Sequence, residues 1–111
     1  MNANDKLREY NCTDNYYKHP LGYLYTNGVQ ALCEMFQCYW FLDIVQSYRR
    51  KLVGEEFQVW KLSRIGSKAE LVCTDGNDNV LVKQAIEFTD FGPDEATLWV
   101  EDNIVLLPSE H

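Results

Sequence analysis

The sequence predicts an α+β fold, an antiparallel meander sheet of four or five strands with two N-terminal helices packed on one face. Three observations carry that prediction. Apolar residues recur at helical spacing between residues 27 and 51, the period becomes extended after Gly54, and turn-forming stretches then separate the apolar runs. The 111 residues correspond to a single domain. It reads as a tyrosine-rich segment over 1–26, two helices over 27–53 and a sheet over 55–107. With 46% hydrophobic and 14% aromatic residues the chain has the material for a core.

Residues 10–25 are irregular and hold Tyr10, Tyr16, Tyr17, Tyr23 and Tyr25. Tyrosine buries its ring while keeping its hydroxyl near water or a partner, so this segment is expected to wrap the domain, or in the alternative to form a contact surface. Asn27 then fits a helix N-cap, with Gln30 three residues on as a capping box, and Val29, Leu32, Cys33 and Phe36 form the apolar stripe. A second helix is predicted over 39–51. Phe41, Leu42, Ile44, Val45 and Tyr48 make its apolar face, and Asp43, Gln46, Ser47 and Arg50 its polar one. Arg49, Arg50 and Lys51 suit the negative end of its dipole, and Gly54 marks the exit.

Residues 57–64, 69–74 and 80–88 are rich in β-branched and aromatic residues and read as strands, separated by turns at 65–68 and 75–79. Asp75, Asn77 and Asn79 open like a calcium-binding loop. Val80 stands where that loop needs glycine and Ile86 where it needs glutamate, so the stretch is a hairpin turn. Residues 90–95 form a loop around Pro93, and 97–107 give one long strand or a hairpin turning at Asp102 and Asn103.

Charge narrows the function. Ten Lys and Arg against 17 Asp and Glu leave a net charge of −7. Residues 1–51 carry six basic and five acidic residues and the remainder four and twelve, so the excess belongs to the sheet-forming half. Direct nucleic-acid binding needs clustered cations and is excluded as an expectation. No apolar run reaches the roughly 20 residues of a membrane span, and residues 1–9 lack the apolar stretch of a secretory signal. A cytoplasmic protein is expected.

Cys12, Cys33, Cys38 and Cys73 read as buried thiols, because the spacing of Cys33 and Cys38 is not that of a zinc knuckle and a reducing compartment opposes disulfides. Neither a metal nor a cofactor is expected, and no glycine-rich phosphate loop or nucleophile elbow is present. Trp40, Trp60 and Trp99 read as an aromatic core where helix meets sheet. In the alternative reading Trp60 and Trp99 anchor a partner, since the first strand is apolar on both faces, with Phe57 and Val59 on one and Trp60 and Leu62 on the other.

Residues 16–21 (YYKHPL), 24–28 (LYTNG), 39–43 (YWFLD), 55–62 (EEFQVWKL), 86–91 (IEFTDF) and 106–110 (LLPSE) together make the chain resemble a family of small bacterial and phage proteins of unknown function. The resemblance implies a small cytosolic protein at home in phages and mobile elements. It supplies no catalytic residues.

The leading expectation is therefore a non-catalytic interaction protein, an anti-CRISPR or anti-restriction inhibitor. It would present carboxylates, as a mimic of DNA, to a host protein with a basic nucleic-acid-binding surface. Asp90, Asp94, Glu95, Glu101 and Asp102 are the expected contacts, with Trp60 and Trp99. Two alternatives stand beside it. One is a small enzyme using His19 with a cysteine or carboxylate; the other is a self-associating accessory protein, a homodimer through the first strand.

Overall fold

Extended backbone begins earlier in the chain than the sequence period indicates. In the structure, a computed structural model, residues 2–7, 16–19, 22–87 and 89–110 are described. They form β1 (Tyr16–Lys18), β2 (Leu24–Thr26), α1 (Asn27–Phe36), α2 (Tyr39–Ser47), β3 (Phe57–Ile65), β4 (Lys68–Thr74), β5 (Val80–Ile86), β6 (Glu95–Glu101) and β7 (Ile104–Leu106). A 3₁₀ turn precedes them at Ala3–Leu7 and another follows at Pro108–Glu110. All seven strands join one sheet in the order β1-β2-β7-β6-β3-β4-β5.

This corrects the expected meander of four or five antiparallel strands. The antiparallel run β3-β4-β5 is present, but β6 returns to the far side of β3, and β2 lies parallel to β7 with Leu24 beside Ile104 and Tyr25 beside Val105. The sheet is therefore mixed. Three-residue strands are too short to display a period of two, and a pairing between residues 24 and 104 leaves no local trace. Tyr16, Tyr17 and Tyr25 thus lie in strands, while Tyr10, Cys12, Phe88 and His111 lie outside the described residues.

The helices are shifted by their caps. Thr26, not Asn27, caps α1: its hydroxyl accepts the Val29 N–H at 3.2 Å. Gln37, left-handed at φ 51°, closes the helix. α2 ends at Ser47, four residues short of the expected end, with Tyr48 as its C-cap at φ −92° and ψ 2°, and the chain continues as turns. The Leu52 N–H reaches the Tyr48 carbonyl at 3.0 Å in those turns.

Strand alternation sorts the core. Trp60, Leu62, Leu71, Cys73, Leu98, Val100 and Val105 face the helices and are buried with Val29, Leu32, Phe41, Leu42 and Val45. A polar thread crosses this core. Gln58 accepts from Trp60 Nε1 at 2.9 Å and donates to the Tyr23 hydroxyl at 3.2 Å, so two buried amide atoms are satisfied. Gln46 holds the Tyr23 backbone from both sides, accepting its N–H at 2.9 Å and donating to its carbonyl at 3.2 Å.

The N-terminus also completes a strand. β7 pairs only with residues 99–101 of β6, and beyond it the Asn4 side-chain amide donates to the Thr97 carbonyl at 2.9 Å and accepts the Thr97 N–H at 2.7 Å. One side chain thus replaces a missing peptide unit along the β6 edge.

Candidate functional site

Topology splits the five expected carboxylates. β6 runs from Glu95 to Glu101, so Asp90, Asp94 and Glu95 lie at one end of the sheet and Glu101 and Asp102 about 20 Å away at the other. At the first end Arg64 holds the loop together. It donates to the carbonyls of Pro93, Gly66 and Gly92 at 3.1, 2.8 and 3.2 Å and pairs with Asp94 at 3.1 Å. Lys61 pairs with Glu95 at 3.3 Å. Two of the expected contacts are thus already neutralised. Asp90 is exposed beside a small cleft lined by Trp40, Ile86 and Thr89.

The second end is built differently. Asp102 and Asn103 both have positive φ, 53° and 65°, as a two-residue hairpin turn requires, and this carries Asp102 to the tip. Because β3 is antiparallel to β6 with Phe57 opposite Glu101, Glu55 and Glu56 arrive at the same end. The last 3₁₀ turn adds Glu110, whose Oε1 accepts from the Thr26 hydroxyl at 2.6 Å and from the Leu107 N–H at 3.0 Å.

Two adjoining clefts result. One of about 310 Å³ is lined by Tyr16, Thr26, Glu101, Asp102, Ile104, Leu106 and Glu110. The other, about 330 Å³, is lined by Tyr23, Gly54, Glu55, Glu56, Val100, Asp102 and Asn103. Asp102 is common to both. Among the described residues no cation lies within 4 Å of Glu55, Glu56 or Asp102. No group of three His, Cys, Asp or Glu side chains among them could hold a metal ion.

The two tryptophans part company. Trp60 is fully buried against Tyr48, with ring centroids 5.6 Å apart, and belongs to the core instead of a contact surface. Trp99 lies on the opposite face of the sheet, half-buried and edge-on to Phe57 at 5.3 Å. Sequence reasoning missed Glu55, Glu56 and Glu110. The first two directly precede β3 and followed from its direction; nothing local marked Glu110.

His19 has a carboxylate partner. Its Nε2 lies 2.7 Å from Asp43 Oδ1, fastening the β1–β2 connection to α2. Cys33, Cys38 and Cys73 are free and buried; a hydrogen bond with Cys38, then burial, pushes the Cys33 thiol up, and burial pushes the Cys73 thiol up to about 12.

Among the described residues no helix is long and apolar enough to cross a membrane. No curated protein and no solved structure matches the chain. A family does match, over residues 1–111, and with the whole chain covered the protein belongs to it: the family of unknown function DUF6876.

Proposed function

We propose that the protein is a non-catalytic interaction module that binds a basic, nucleic-acid-handling host protein by presenting carboxylates where phosphates would lie. Within that class it acts as a phage or mobile-element inhibitor of a restriction or CRISPR effector. One observation carries the reading: Asp102 stands between two clefts walled by Glu55, Glu56, Glu101 and Glu110, and Glu55, Glu56 and Asp102 have no cation within 4 Å among the described residues. Carboxylates concentrated at one end of a small domain speed association with a basic channel and suppress other partners. Trp99 and Phe57, on the face of Glu101, add apolar area beside the charge. Asp94 and Glu95 support this reading less, because Arg64 and Lys61 occupy them.

The test uses purified restriction and CRISPR effectors with the full chain as inhibitor of their DNA binding. Glu101→Lys with Asp102→Lys is expected to weaken inhibition by about tenfold or more, whereas Asp94→Asn with Glu95→Gln leaves it within about twofold. Failure of the wild-type chain to displace DNA from any of these effectors at low salt would refute the proposal.

A further inference from the structure

Between α2 and β3 the charge inverts over eight residues, from Arg49, Arg50 and Lys51 through Leu52, Val53 and Gly54 to Glu55 and Glu56. The stretch is an ordered turn. Leu52 is 5% exposed and anchors it, the Glu55 N–H reaches the Leu52 carbonyl at 3.0 Å, and Gly54 takes φ 93°, which L side chains rarely adopt. Arg49 is held inward over the Tyr23 ring at 5.7 Å. Arg50, Lys51, Glu55 and Glu56 are all exposed, and between the two arms Val53 is 80% exposed. Among the described residues none of the four charged side chains makes an ion pair within 4 Å; Lys51 has only the Tyr48 ring, 5.7 Å away.

A basic arm, an apolar centre and an acidic arm in one turn are complementary to the same turn rotated by a two-fold axis. We propose that residues 50–56 form an isologous surface through which two copies of this chain pair. Val53 lies at the axis, and Arg50 and Lys51 of each copy meet Glu56 and Glu55 of the other. A second copy supplies the inverted charge order by symmetry, whereas any other partner would need that order built into it. The cleft of about 330 Å³ lined by Glu55, Glu56 and Asp102 gives the facing lysine or arginine stem a place to lie. The association is weak and salt-dependent, because exposed ion pairs each contribute little and are screened. This surface shares Glu55 and Glu56 with the carboxylates assigned to a basic partner, so a second copy and that partner compete for these two side chains; the pairing itself does not depend on that assignment.

Sedimentation velocity of the full chain tests it. The dimer fraction is expected to fall as salt rises from about 20 to about 500 mM. Arg50→Glu with Lys51→Glu, and separately Glu55→Lys with Glu56→Lys, should each weaken self-association by about tenfold or more, since both place like charges opposite one another. An equimolar mixture of these two variants should form a one-to-one heterodimer tighter than the wild-type dimer. Circular dichroism checks that each is folded, and Val53→Asp, which leaves both arms intact and puts two carboxylates at the axis, is a third disruptive change. A monomer at every concentration up to about 1 mM, a dimer indifferent to salt and to both reversals, or no heterodimer on mixing would each overturn the proposal.

Discussion

Glu110 and Gly28 show how a single contact reverses an ordinary rule. In a helix, glycine costs about 1 kcal/mol relative to alanine, so Gly→Ala is normally stabilising. Gly28 lies in the first turn of α1, and a Cβ there would come within 2.6 Å of the Glu110 carboxylate. That carboxylate already accepts from Thr26, the α1 cap, and rests near the positive end of the helix dipole. Gly28→Ala is therefore expected to destabilise the protein by about 1–3 kcal/mol in urea unfolding. In a Glu110→Ala background the same change should stabilise it by up to about 1 kcal/mol. Equal effects in the two backgrounds would mean that Glu110 does not press on the helix.

At the scale of elements, β5 is the long edge of the sheet, seven residues with Val80 60% exposed. Such an edge invites pairing with another strand. Lys83 is the central residue of β5, so antiparallel pairing of two β5 strands in full register would set Lys83 against Lys83. Lys83→Val removes that repulsion, and also the ion pair to Glu70 at 3.7 Å. The variant should form salt-insensitive dimers or larger species by light scattering, distinct from the salt-sensitive pairing through Val53. A variant that forms no salt-insensitive species would mean that Lys83 is not what keeps this edge unpaired, and would leave the register shift between Cys73 and Thr74 as its protection. Elements were legible in proportion to their length. α1 and the start of α2 followed from helical spacing, β3 to β5 from β-branched and aromatic runs set between turn-forming stretches, and the Asp102–Asn103 turn from its residue types. β1 and β2 were not legible, since three residues carry no period, and neither was the Asn4 side chain that substitutes for a strand. Of the site, Glu101 and Asp102 were found by charge alone. Trp60 and Trp99 could not be divided between core and surface until pairing with β4 and β6 fixed which face of β3 meets the helices.

Across the whole molecule, the parallel pairing of β2 with β7 joins the two ends of the chain and sets the order of folding. The β3–β4 hairpin closes through a turn at Gly66, with Leu62 opposite Leu71, both fully buried. Pairing Leu24 with Ile104 instead closes a loop of about 80 residues, and its entropy cost must be met before the contact contributes anything. The hairpin and the helices packed on it should therefore be formed in the folding transition state, and the β1-β2-β7 side of the sheet should join afterwards. Leu71→Ala and Val105→Ala report on the two regions, since both residues are fully buried. The first should cost about 2–5 kcal/mol and the second about 2 kcal/mol, each above the roughly 0.6 kcal/mol needed for a usable φ-value. In stopped-flow chevrons, Leu71→Ala is expected mainly to slow folding, with φ of about 0.5 or more, while Val105→Ala mainly speeds unfolding, with φ below about 0.3. A folding rate that fell with Val105→Ala in full proportion to the stability lost would place the β2–β7 pairing in the nucleus. The clefts around Asp102 would then be shaped early, whereas late docking makes them among the last features of the fold to form.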